Sequence, residues 1–108
     1  MTVAELSVKL DAKNICVPNG DREVAGVYVG DLLSWVMGRA PADCAWVTIM
    51  SNLNVVAVAS LADVACVIFS EDVLPDDDAL AKAKKEGINL LSVPYSSYDA
   101  CVALQKLL

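Results

Sequence analysis

The chain predicts an α/β fold: three layers, α/β/α, around a mainly parallel central sheet of about four to five strands. Three features carry that expectation. Short apolar runs alternate with segments of helical character, as successive βαβ units require. Ala45-Trp46-Val47-Thr48-Ile49-Met50 and Ala65-Cys66-Val67-Ile68-Phe69-Ser70 are apolar almost throughout, the pattern of strands covered on both faces. Helix punctuation separates later runs: Pro75 with Asp76-Asp77-Asp78 opens a helix that Gly87 closes.

In chain order, Thr2-Val3-Ala4-Glu5 has the form of a capping box and starts a short helix to about Leu10. Asn14-Ile15-Cys16-Val17 reads as a brief buried strand stopped by Pro18-Asn19-Gly20. Glu23 to Val29 is the next extended piece. Asp31 is placed to cap a helix from Leu32 to about Arg39, with Leu32, Leu33, Val36 and Met37 on one stripe. After the loop Gly38 to Asp43 and the strand Ala45 to Met50, the segment Val55 to Val64 reads two ways. Its valines favour a strand, but Asn54 is a good cap, and a crossover helix must precede the strand Ala65 to Ser70. Ile88 to Val93 is a strand ended by Pro94. Ser96 or Ser97 caps a last helix to Leu108, with Tyr98, Cys101, Val102, Leu104 and Leu107 or Leu108 available to pack.

Composition narrows the function. At 108 residues, 1–108 is expected to form one domain around one core. Hydrophobic residues make up 56%, and the mean hydropathy is +0.52. So short a chain has little interior in which to place them, which predicts a homodimer. The net charge of −6, with cations clustered only at Lys82, Lys84 and Lys85, argues against nucleic acid as a partner. Without histidine or a CxxC pair, no metal site and no cofactor are expected. Met1 to Glu5 lacks the basic and apolar regions of a signal peptide. Val55 to Val67 is too short and interrupted to span a bilayer. A reducing cytoplasm is therefore expected, with Cys16, Cys44, Cys66 and Cys101 as free, inert thiols and no membrane partner.

Catalysis finds no support in the residues. There is no histidine for an acid–base relay, no Ser-x-Gly elbow, and no cationic sequence neighbour to stabilise a thiolate. The best ligand candidates are Ser51, Asn52 and Asn54, expected beyond a strand's carboxyl end at a helix N-terminus, where amides favour anions. Asp31 and Ser34 are their expected neighbours. Helix capping alone also explains Asn54. Asp21 and Arg22 form either a recognition pair for a ligand or partner, or an ion pair bracing a turn. Gly26 and Gly30 either admit a ligand close to the backbone or serve turns and packing.

Three blocks resemble the DRTGG domain: Asp21-Arg22 through Gly26 into Val27-Tyr28-Val29-Gly30, the segment Trp46 to Val64, and the segment Pro75 to Tyr98. Glu23 and Ala25 stand where a threonine and a glycine are more usual in that family. The resemblance implies a fold like the N-terminal domain of HPr kinase/phosphorylase. It does not imply phosphoryl transfer, for no GxxxxGK[ST] loop is present. It implies a non-catalytic regulatory or assembly module, homodimeric, with a nucleotide or other small anion as ligand. That ligand class follows from family members joined to nucleotide-sensing CBS modules. The alternative, also drawn from the family, is an accessory protein-binding subunit of a redox or hydrogenase system.

Overall fold

The computed structural model describes residues 1–108. Five helices and five strands follow one another: α1 (Val3–Leu10), β1 (Lys13–Cys16), β2 (Gly26–Val29), α2 (Leu33–Arg39), β3 (Cys44–Thr48), α3 (Leu53–Ala62), β4 (Cys66–Phe69), α4 (Asp77–Glu86), β5 (Leu90–Ser92) and α5 (Ser97–Leu107). The sheet order is β1-β5-β4-β3-β2, with β2 to β5 parallel and β1 antiparallel to β5. Each crossover between parallel strands steps the same way. Right-handed connections then put α2, α3 and α4 on one face, leaving the other to α1 and α5.

Alternation along the strands feeds two cores. Cys44 and Trp46 of β3, with Val67 and Phe69 of β4, pack under Val36 of α2, Val55, Val58 and Ala59 of α3, and Ala79 and Ala83 of α4. Ala45 and Val47 of β3, with Cys66 and Ile68 of β4, pack against Leu6 and Leu10 of α1 and Ala100 and Leu104 of α5. Burying each of the larger apolar side chains contributes about 1.5–3 kcal/mol.

The valine-rich segment is helical, because tertiary position overrides propensity. α3 lies between α2 and α4, so Val55, Val56, Val58 and Ala59 are all buried. Local signals hold at both ends of the chain. Thr2 and Glu5 form the capping box, Gly87 closes α4 in the left-handed region (φ 74°), and Ser96 caps α5 by accepting from the Asp99 N–H.

Four local expectations are corrected. β1 is an edge strand, not a buried one: Lys13 and Asn14 are exposed and only Cys16 is buried. Asp31 does not cap α2. Leu32 occupies that position without a side-chain bond, while Leu32 and Met37 stand exposed, because α2 is the outer helix of its layer. Asn54 does not cap α3. Asn52 does, so the helix begins at Leu53. In α5, Tyr98 and Val102 face solvent and Ala100 and Leu104 carry the packing. No helix is long and apolar enough to cross a membrane.

Candidate functional site

The sheet divides the candidate residues between its two ends. Gly30, Asp31, Ser34, Ser51, Asn52 and Asn54 gather beyond the carboxyl ends of β2 and β3. Asp21, Arg22 and Gly26 lie at the amino end, so the two groups do not form one site.

At the carboxyl end, β2 runs out beside the end of β3. The buried indole of Trp46 donates from Nε1 to the Gly30 carbonyl at 2.9 Å. Asp31 then turns back over β3. Its carboxylate accepts from the Thr48 hydroxyl at 2.7 Å and from the Ile49 N–H at 3.0 Å. The Thr48 oxygen accepts in turn from the Met50 N–H at 3.1 Å. These bonds explain why Asp31 is absent from the start of α2: they hold one oxygen of its carboxylate over β3. A Cβ at Gly30 would meet the Tyr28 ring at 3.2 Å, so packing restricts that position.

The next turn is clamped to α4. Ser51 donates from its hydroxyl to the Asp76 carboxylate at 3.1 Å, and the Asp76 N–H returns a bond to the Ser51 carbonyl at 3.0 Å. The Asn52 side chain accepts from the Asn54 N–H at 2.9 Å. The side chains of Ser34 and Asn54 are exposed and make no hydrogen bond within the chain. Asp31 and Asp76 flank this mouth, so an anion there gains from the α3 amides while meeting two carboxylates.

At the amino end, Arg22 spans two loops. Its guanidinium donates to the Asp43 carboxylate at 2.9 Å and to the Asp63 carboxylate and carbonyl at 2.9 and 2.7 Å. Partial burial works against its charge, but the bonds to Asp43 and Asp63 outweigh that and raise its pKa. Asp21 is exposed and takes no part in this ion pair. A Cβ at Gly26 would meet nothing, so no contact within the chain requires glycine there.

Sequence reasoning missed Thr48, Asp43 and Asp63, whose partners lie at least 17 positions away. It also missed an open groove of about 320 Å³ between α1 and α5, lined by Lys9, Leu10, Tyr95, Asp99 and Ala103. Tyr95 closes its floor by donating to the Leu10 carbonyl at 2.9 Å. No local pattern announces that groove, because its lining comes from two segments distant in sequence.

The thiols are poor nucleophiles. Burial pushes Cys44 up to about 11 and Cys66 up to about 12, and raises Cys16 and Cys101 as well.

No protein-family model matches the sequence, and no curated protein matches it either. Its structure is similar to the CBS and DRTGG domains of the regulatory region of Clostridium perfringens pyrophosphatase, solved in complex with the activator diadenosine tetraphosphate. The TM-score is 0.72 at 14% sequence identity, over 95% of this chain and 45% of that one. The fold is therefore DRTGG-like, and the chain spans less than half the length of that structure.

Proposed function

We propose that the chain is a non-catalytic regulatory or assembly module that acts as a homodimer and takes a small anionic ligand, nucleotides included. The carrying observation is the fold. It follows, over nearly its whole length, a structure drawn from the regulatory region of an enzyme and solved with an adenine dinucleotide activator. Two features of the chain support the non-catalytic part. It has no histidine, and burial disfavours its thiolates at Cys44 and Cys66, the opposite of what a cysteine nucleophile needs.

The ligand's place in this reading is the carboxyl end of the sheet at the start of α3. Asp31 and Ser51 are engaged by Thr48 and Asp76, which leaves Ser34, the amide nitrogen of Asn52, and Asn54 as free polar groups. Asp31 holds the rim in place and stays out of direct contact with an anion. The test is a thermal shift against adenine nucleotides, polyphosphates and small carboxylates. A true ligand at about a hundredfold over its Kd stabilises by about 2.7 kcal/mol, which moves the melting temperature by several degrees. A panel without any shift removes the ligand from the proposal.

A second reading, an accessory protein-binding subunit of a redox or hydrogenase system, draws on the exposed apolar side chains Leu32, Trp35 and Tyr98. It requires no small-molecule shift, so the same panel separates the two.

A further inference from the structure

We propose that β2 is the dimer seam: a second copy of the chain adds its own β2 antiparallel across a two-fold axis at Tyr28, making one continuous sheet. The inference deepens the homodimer reading above and rests on it.

The backbone supplies the register. β2 ends the sheet, with β3 on one side only. Gly30 donates to the Val47 carbonyl, and bonded residues alternate along a parallel strand, so Val27 and Val29 turn their N–H and C=O groups away from β3. Antiparallel pairing of Val27 with the partner's Val29, and the reverse, satisfies all of these groups with Tyr28 on the axis. The strand Gly26-Val27-Tyr28-Val29 carries no charge, proline or bulge, the usual protections of a free edge. The opposite edge is protected: β1 has exposed Lys13 and a register slip between Asn14 and Cys16. Gly26 leaves room for a close approach, since nothing lies within 4 Å of where its Cβ would be.

The layers above and below the edge agree. With Val36 turned to the core, Leu32, Trp35 and Arg39 project from the flank of α2 that is turned away from α3. On α5, Asp99 and Ala103 face α1 across the groove, so Cys101 and Leu108, on the opposite flank, lie on the β2 side. Val29 is 51% exposed, Leu32 58% and Trp35 52%. Val29, Leu32, Trp35 and Leu108 are thus exposed apolar side chains flanking the edge, of the kind a standard interface of ~800 Å² per partner buries. Trp, Tyr and Arg are also the residues that dominate interface energies. Charge fits a second copy as well. The two-fold reverses α2 against the partner's α2, bringing Arg39, stacked on Trp35 at 3.8 Å, toward Asp31 of the other protomer.

Light scattering of the wild type, of Val29→Lys and of Trp35→Glu tests the seam, with circular dichroism to check folding and amide exchange to read Val27 and Val29. Both substitutions are at half-exposed positions, so the fold is expected to survive them. The wild type is expected at about twice the 11.4 kDa chain mass. Each variant should weaken the dimer by at least about tenfold, and the Val27 and Val29 amides should exchange slowly only in the dimer. A wild type that stays monomeric overturns both this inference and the homodimer reading. A dimer that persists undiminished in both variants, or leaves those amides unprotected, overturns the seam alone. A monomer whose β2 amides are protected only by an added foreign protein gives the edge to another partner and overturns the proposal too.

Discussion

Arg22 donates twice to Asp63, to its carboxylate at 2.9 Å and to its main-chain carbonyl at 2.7 Å, across 41 positions of sequence. Asp63 is the left-handed residue that ends α3 (φ 58°), and Asp43, the second partner of Arg22, is left-handed too (φ 65°) just before β3. One guanidinium therefore holds the two loops that feed the amino ends of β3 and β4. The Asp43 N–H completes the tie by donating to the Asp63 carbonyl at 2.9 Å.

Removing that side chain should be felt across the fold. Arg22→Ala is expected to cost about 1.5–3 kcal/mol, the range for charge-assisted hydrogen bonds. Arg22→Lys should recover only part of this, because an ammonium cannot reproduce the planar fork. Urea denaturation of the three proteins checks the order. Equal stability of Arg22→Ala and wild type would refute the bracing role.

Backbone handedness gives a pair of opposite outcomes. Gly87 sits at φ 74°, where an added Cβ would also approach Asn19 Nδ2 at 3.1 Å, so Gly87→Ala should destabilise by about 1–2 kcal/mol. Glu71, at φ 57° just after β4, is a non-glycine in the same region. Glu71→Gly should be neutral or stabilising by up to about 1 kcal/mol. Calorimetry on both variants reads the sign. A loss from Glu71→Gly as large as that from Gly87→Ala would contradict the argument.

The buried thiols set an alkaline limit. Below the ordinary value of 9.0, Cys44 and Cys66 are protonated in both folded and unfolded chains and contribute nothing to pH dependence. Above it the unfolded thiols ionise, while burial holds the folded ones neutral up to about 11 and about 12. Stability is therefore lost as pH rises through that window, by about 1.4 kcal/mol per pH unit for each thiol. Denaturation at pH 8 and pH 10.5 measures the slope, and a Cys44→Ala, Cys66→Ala double variant should show a shallower one. An unchanged slope in the double variant would assign the effect to other groups.

Much of this architecture was legible because its causes are local. Thr2 and Glu5 are three residues apart and cap one helix, Gly87 needs only its own φ, and the apolar runs around Trp46 and Ile68 show burial on both faces of the sheet. What escaped is what depends on distant partners. Whether Lys13 to Cys16 is central or marginal depends on its antiparallel pairing with β5, about which four residues say nothing. Asp31 looks like a cap in isolation, and only the arrival of Thr48 beside it turns its carboxylate elsewhere. The candidate site was legible in the same measure. Ser51 to Asn54 reads as a polar turn before a helix, but its clamp to Asp76 and its separation from Arg22 are set by the sheet.

Asn52 and Asn54 make the sharpest contrast, since either asparagine can cap a helix and the chain turns so that only Asn52 does. Its side chain accepts from the Asn54 N–H at 2.9 Å, while the Asn54 side chain faces solvent without a partner. Asn52→Ala should therefore cost about 1 kcal/mol of stability, the usual loss for an N-cap. Asn54→Ala, inside the first turn, should cost nothing and gain slightly from alanine's helix propensity. Binding runs the other way: for any ligand the thermal-shift panel identifies, Asn54→Ala should lower affinity by removing a free polar group at the mouth, with no loss of fold. Affinity measured by calorimetry beside denaturation separates the two roles. Should Asn54→Ala bind as tightly as wild type while Asn52→Ala alone loses stability, capping accounts for this turn and the ligand belongs elsewhere, with the groove beside Lys9 and Tyr95 the next place to substitute.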